Sequence, residues 1–446
     1  MKNIHKFNIN DRYIVLDIYS GSIFVVDELT YNILEYFDYG LDFVLKSIKD
    51  KPENKVIEVF NEIKSLVEEG YLGSDEIDVS DISYNRNNII KAMCLHVAHD
   101  CDLRCKYCFA SQGDFCGERS LMTFETGKRA LEFLVENSGN RRNLEVDFFG
   151  GEPLLNFEVV KKLTLYGEEL NKKFDKNIRF TITTNGVSLD DDKIDFINKY
   201  MSNVVMSLDG RREVNDRMRP TVNGKGSYDI IVPKFKKLIS KRGDKDYYIR
   251  GTFTSFNLDF SKDAIQFYNE GFKNISIEPV VTEERMPYAL KREHLEKILE
   301  EYEEFSKFYM DVNKEDDNLL FFHFVIDLND GPCLAKRSVG CGAGAEYISV
   351  TPTGEIYPCH QFVGDERFLM GDLNRGIVNS SIREDFKHSN VFTKDDCKSC
   401  WAKFYCSGGC HANAFYNNDT IMKPYSLGCE MEKKRLECAI SILANK

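Results

Sequence analysis

The chain has 446 residues, 42% hydrophobic and 12% aromatic, enough to build sizeable cores and too many for one small domain. A formal charge of −13 argues against a general nucleic-acid binder, which needs a basic face. No stretch approaches about 18 consecutive apolar residues, and the polar opening from Met1 to Asp11 is unlike a signal peptide, so the sequence points to a cytosolic protein without a membrane span.

In chain order, two β-rich runs come first. Tyr13–Ile18 and Ser22–Val26 flank Tyr19-Ser20-Gly21 and predict a hairpin. Asp27 is placed to cap a helix over Glu28–Phe37. A second amphipathic helix, Asn54–Glu69, gathers Val56, Val59, Phe60, Ile63 and Val67 on one face and stops at Gly70. The acidic stretch Asp75–Asp81 reads as a linker, so residues 1–83 form a strand–helix module of winged-helix character.

The middle of the chain alternates strands with helices. The strand-like runs are Met93–His99, Glu145–Phe149, Arg179–Thr184, Val204–Leu208, Tyr248–Thr254 and Ile275–Val281. Between them lie helical patterns at Glu125–Asn137, Glu158–Phe174, Asp191–Met201, Tyr228–Ser240 and Lys262–Asn269. Six strands in this rhythm predict an α/β fold, a partial (β/α)6 TIM-like barrel over residues 84–315. Its active site is expected at the strand C-termini. A charged helix follows near Arg292–Met310, and its run Glu300-Glu301-Tyr302-Glu303-Glu304 reads as a solvated face. The last segment, 316–446, is rich in Cys, Gly and Pro from Gly331 onward, with a short strand at Tyr347–Val350. So few apolar runs imply that metal staples hold it together.

The 14 cysteines fall in two groups, with none between Cys116 and Cys333. A reducing compartment makes metal ligation a better account than disulfides. Cys101-x3-Cys105-x2-Cys108 directly follows the first barrel strand. Three thiolates can hold three irons of a cubane and leave the fourth open to a ligand. Two other readings exist: the three could share a face of a buried helix, or bind zinc with His99 as fourth ligand. The polar neighbours Asp102, Arg104 and Lys106 speak against the first.

This cysteine loop resembles the signature of the radical S-adenosylmethionine (SAM) superfamily. Phe149-Gly150-Gly151-Glu152-Pro153, after the second strand, resembles that superfamily's SAM-amine motif, in which Glu152 or nearby carbonyls accept from the methionine ammonium. The resemblance further implies that Asn185 and Ser207 contact the ribose or carboxylate, that Arg219 pairs with the carboxylate, that Tyr107 lies against the adenine side, and that Val280 closes the pocket. Cys341-x12-Gly354-x4-Cys359 and Cys397-x2-Cys400-x5-Cys406-x3-Cys410-x18-Cys429 together match the seven-cysteine pattern of the SPASM domain, which holds two further 4Fe–4S clusters. By that resemblance Cys341, Cys359 and Cys410 bind auxiliary cluster one, and Cys397, Cys400, Cys406 and Cys429 bind auxiliary cluster two. Cluster one is then a ligand short, either supplied by Cys333 or left open for a substrate thiolate. Cys94 and Cys438 read as core residues, and Cys116 has no assignment.

Sulfatase-maturing relatives carry Asp directly after the cysteine equivalent to Cys359, as a catalytic base; here that residue is His360. The whole chain is more similar to the thioether-forming maturases of SCIFF peptides (six cysteines in forty-five residues). That resemblance implies three 4Fe–4S clusters, SAM, a Cys-rich precursor peptide whose leader adds to a sheet edge of the first module, and a donor such as flavodoxin or ferredoxin. The implied reaction removes a hydrogen from a peptide carbon, of threonine in the SCIFF case, and joins a cysteine sulfur to it. Sulfatase-type formylglycine formation and C–C crosslinking are the enzyme alternatives, and an iron–sulfur electron carrier is the non-enzyme one.

Overall fold

The computed structural model describes residues 1–76, 88–115, 117–315, 318–326 and 338–444. Cys116, Cys333 and the acidic stretch from Ile77 to Asp81 lie outside them.

The N-terminal module is an antiparallel meander, β1 (Ile4–Ile9), β2 (Arg12–Asp17) and β3 (Ile23–Val26), followed by α1 (Glu28–Tyr36), α2 (Leu41–Ser47) and α3 (Glu53–Glu68). The expected hairpin forms with Tyr13 opposite Val26, and the Asp27 carboxylate accepts from the Thr30 N–H at 2.8 Å as N-cap. β1 escapes the sequence reading because its apolar alternation is only Phe7 and Ile9, set among Lys6, Asn8 and Asn10. Period-2 alternation gives this sheet two jobs. Phe7, Ile9, Ile14 and Leu16 pack into the main core, while Val15 packs against Leu29, Ile33, Val56, Phe60 and Ile63 of its own helices. Among the described residues β3 pairs with β2 alone, so its outer edge is open.

The barrel runs β4 (Ala92–His99), β5 (Ser120–Leu121), α4 (Phe124–Glu136), β6 (Asn143–Gly150), α5 (Phe157–Phe174), β7 (Asn177–Thr184), α6 (Asp191–Tyr200), β8 (Asn203–Ser207), α7 (Arg212–Met218), α8 (Tyr228–Ser240), β9 (Tyr248–Phe253), α9 (Phe260–Asn269), β10 (Asn274–Pro279) and α10 (Leu295–Glu315). β4, β6, β7, β8, β9 and β10 lie side by side in that order, all parallel, which is the predicted partial TIM-like barrel. β11 (Leu320–Phe321) extends the sheet beyond β10. Beyond β4 it continues through β12 (Tyr347–Val350), β13 (Glu355–Tyr357), β14 (Gly371–Asp372) and β15 (Gly376–Ile377), so the sheet stays open.

Alternation along these strands decides what the barrel encloses. Val146, Phe148, Ile182, Met206 and Ile249 are fully buried and join the main hydrophobic core. The other face carries Asp147, Thr183, Ser207, Arg250, Thr252 and Glu278, all partly or fully exposed. Closed TIM barrels fill that face with branched apolar side chains. Here it is a polar lumen.

Among the described residues five helices follow: α11 (Ser380–His388), α12 (Asp395–Lys398), α13 (Lys403–Cys406), α14 (His411–Asn418) and α15 (Ser426–Leu443). The solvated face expected at 300–304 needs correction. Glu301 and Tyr302 are buried; Glu301 accepts from the Ser261 N–H at 3.2 Å and pairs with Lys297 at 2.6 Å, and Glu303 meets Lys434 of α15 at 2.7 Å. Because α10 is covered by both α9 and α15, consecutive residues there reach different neighbours. The first module docks on the same corner: His5 pairs with Glu437 at 3.0 Å and stacks on Trp401 at 3.8 Å. Among the described residues no helix is long and apolar enough to cross a membrane.

Candidate functional site

The loops at the C-terminal ends of β4, β6, β7 and β8 build one cleft. The cysteine loop follows β4, and glycines let its neighbours reach it. A Cβ on Gly150 (φ +128°) would stand 2.1 Å from the Ala98 carbonyl oxygen, and one on Gly151 would stand 2.2 Å from that of Asp100. Only without side chains there can Gly151 N–H donate to Ala98 at 2.8 Å and Glu152 N–H to Asp100 at 2.9 Å. On the other flank the segment after α7 runs beside the loop, with Arg104 N–H donating to Pro220 and Lys106 N–H to Met218. This pairing carries Arg219 to Cys105.

Glu152 is the brace of the cleft. It is 0% exposed, and its carboxylate accepts from the Leu154 N–H (3.0 Å), the Thr184 hydroxyl (2.7 Å) and the Asn185 N–H (2.8 Å). Burial, with Asp102 nearby, pushes its carboxyl up to about 8 against those donors. The Asn185 amide in turn donates to Asp102 at 2.8 Å, which ties the β7 loop to the cysteine loop. Across the cleft the Tyr107 hydroxyl donates to Asp209 at 2.6 Å and accepts from Arg219 at 2.8 Å. Burial raises Asp209 to about 6, although Arg219 and Tyr107 hold it down.

The cleft is lined by Cys101, Cys105, Tyr107, Cys108, Gly150, Gly151, Asn185, Ser207 and Arg219 among others. Two expected SAM contacts stand apart from that lining. Glu152 lies behind it, and Val280 is buried in the core, its N–H donating to Phe253 at 3.0 Å. Asp102, Thr183 and Asp209 escape the sequence reading; only their positions at or just after strand ends could have signalled them.

The residues fit the cofactors that the resemblance implies. Arg219 is 8% exposed, yet its Nε has no partner among the described residues, as a guanidinium awaiting a carboxylate would. Burial and, for Cys105, the adjacent Cys108 push the Cys101 and Cys105 thiols upward, a cost that a bound cation would reverse. His99 does not join them; its Nε2 meets His96 Nδ1 at 3.1 Å and its ring stacks on Phe115.

The C-terminal thiols separate into two neighbourhoods. Burial raises Cys359 most, and then Cys341 and Cys410 do. Burial likewise lifts Cys406 and Cys429 to about 11, helped in both cases by Cys397 and Cys400. Among the described residues these cysteines form no disulfide, and Cys341 and Cys410 are exposed. Cys94 and Cys438 are fully buried. His360, beside Cys359, meets the Tyr347 hydroxyl at 3.1 Å and lies 5.1 Å from the Phe149 ring that lines the cleft.

Comparison with known proteins agrees with this geometry. Residues 95–254 match the radical SAM superfamily, and residues 341–401 match the SPASM iron–sulfur cluster-binding domain. A cysteine-type anaerobic sulfatase-maturating enzyme of Clostridium novyi is 27% identical over 371 residues, covering 77% of this chain and 93% of that one. Among solved structures, native anSMEcpe with bound AdoMet superposes with a TM-score of 0.65 at 20% identity, over 79% of this chain and 98% of that one. Streptococcus suis SuiB bound to its precursor peptide SuiA gives 0.55 at 17% identity, over 96% of this chain and 98% of that one. These two show a shared fold. With the cysteine loop and its glycine partners at the barrel's C-terminal face, and the matches falling on those segments, the chain is an enzyme that carries a radical SAM domain followed by a C-terminal SPASM iron–sulfur cluster-binding domain.

Proposed function

We propose that the enzyme forms a thioether crosslink, from a cysteine sulfur to a carbon of a threonine, within a ribosomally made Cys-rich peptide. The observation that carries this reading is the separation, among the described residues, of the SPASM thiols into a group of four and a group of three with Cys341 and Cys410 exposed. A three-thiol group with two exposed members has room for a substrate thiolate as fourth ligand, with Cys333, outside the described residues, as the alternative. Cys101, Cys105 and Cys108 would hold the cluster that serves SAM, Cys341, Cys359 and Cys410 auxiliary cluster one, and Cys397, Cys400, Cys406 and Cys429 auxiliary cluster two. Three clusters and SAM, when bound, supply an acceptor for a substrate hydrogen atom and an outlet for electrons, which flavodoxin or ferredoxin replenishes.

The chain's own residues do the positioning. Arg219 and Ser207 take the SAM carboxylate and ribose, Gly150 and Gly151 offer backbone to its ammonium, and Tyr107 backs the adenine side. Asn185, fixed by Glu152 and Asp102, holds the far wall. The polar lumen adjoins the cleft, and the open edge of β3 can pair with the peptide's leader by strand addition. SuiB, which shares the fold along nearly the whole chain, is described with a precursor peptide.

Similarity to the C. novyi enzyme favours a second reading, formylglycine formation, but His360 stands where that chemistry places Asp. The test is reduced, iron-loaded enzyme with SAM and a leader-bearing Cys-rich precursor. The expected product has lost two hydrogens and one alkylatable thiol, and a leaderless peptide reacts more slowly. An aldehyde in place of a cysteine would establish the second reading. Unmodified peptide beside accumulating 5′-deoxyadenosine would sink the thioether assignment.

A further inference from the structure

A two-electron oxidation that starts with loss of one hydrogen atom must also release one proton, so the site needs a proton acceptor. Glu152 is sealed by its three donors, and Asp209 is bonded to Tyr107 and to the Thr252 N–H. Asp147 remains. It lies on the lumen face of β6, two residues and about 7 Å before Phe149, which lines the cleft. The Thr183 hydroxyl, itself at the cleft, donates to both its oxygens at 3.2 and 3.1 Å. Unlike Glu152, Asp147 is partly exposed to the lumen.

The groups facing Asp147 come from four strands. Cys94 on β4 is its register partner, Thr183 is on β7, Arg250 on β9 and Tyr347 on β12. Arg250 is 55% exposed in the lumen and 3.9 Å from Glu278, whose carboxylate also meets His323. A carboxylate on β6 and an exposed guanidinium on β9, both facing the lumen, with Asp147 one side-chain layer below the cleft-lining Phe149, suit a peptide that enters the lumen.

We propose that Asp147 is the general base of the peptide oxidation, accepting the proton of the substrate thiol; this rests on the peptide-oxidising reading above. The balance closes. The peptide carbon gives up a hydrogen atom to the SAM-derived acceptor, the thiol gives its proton to Asp147, sulfur bonds to carbon, and the surplus electron passes to an iron–sulfur cluster. Burial lifts the Asp147 carboxyl to about 7, against the Thr183 hydrogen bond and Arg250, which brings its titration into the neutral range.

The experiment uses the holoenzyme with its precursor and compares wild type with Asp147→Asn and Asp147→Glu. Asparagine keeps the size and an acceptor for Thr183. In it, crosslinking falls about 10²- to 10⁴-fold while 5′-deoxyadenosine release and precursor binding persist. The wild-type rate rises through a pH of about 7, a limb that asparagine removes and glutamate restores at a shifted pH. A wild-type rate and pH profile in Asp147→Asn would overturn the proposal, as would joint loss of precursor binding and SAM cleavage in both variants. If wild type makes an aldehyde and Asp147→Asn still removes the limb, the thioether reading falls and the base assignment stands.

Discussion

Glu152→Ala reduces SAM cleavage at least about 100-fold and lowers the thermal midpoint by several degrees. The carboxylate collects the Leu154 N–H, the Thr184 hydroxyl and the Asn185 N–H in a site with no solvent exposure. Alanine leaves those donors buried without an acceptor, at about 1–3 kcal/mol each. The cavity also unties Asn185 from the position in which it meets Asp102, so the β7 and cysteine loops lose register. A loss of about 1 kcal/mol moves the midpoint of a domain this size by about 2–4 °C, and differential scanning calorimetry reads it. Glu152→Gln keeps the volume and one acceptor oxygen but turns an amide N–H toward a backbone N–H, so its loss is intermediate. Unchanged cleavage and stability in Glu152→Ala would contradict the brace.

Alanine at Cys101, Cys105 and Cys108 together abolishes SAM cleavage and leaves the C-terminal clusters in place. The three thiols stand on one loop fixed by Gly151 and Glu152 on one side and by the Pro220 and Met218 carbonyls on the other. None of the seven C-terminal cysteines lines that cleft. On the three-cluster reading proposed above, the iron count therefore falls by about a third, four of about twelve, rather than collapsing. SAM cleavage is followed by chromatography of 5′-deoxyadenosine under anaerobic reduction. Cleavage that survives the triple change would move the chemistry away from β4.

What the sequence makes legible is local or periodic. Cys101-x3-Cys105-x2-Cys108 is read from spacing alone, and the barrel from six apolar runs alternating with helices. β1 escapes because two apolar residues among polar ones carry too little signal, and α7 because Arg212–Met218 is polar on most of its surface. Tertiary pairing is not legible. Nothing in the chain says that Pro220 and Met218 run beside the cysteine loop, that Asp209 waits under Tyr107, or that Glu152 turns away from the cleft to hold Asn185. Glu301 misleads for the same reason, since its acidic neighbours hide its burial against Ser261. The polar lumen is visible in principle, as polar residues, among them Asp147, Thr183 and Arg250, alternate with buried apolar ones along β6, β7 and β9.

The central claim, three cubanes with SAM chemistry at the first strand, is tested most directly by anaerobic iron, sulfide and zinc analysis of the purified wild-type protein, with SAM cleavage assayed on the same sample. The account expects about twelve irons with matching sulfide and reductant-dependent release of 5′-deoxyadenosine. Zinc in place of iron, or iron without any SAM cleavage, would contradict it.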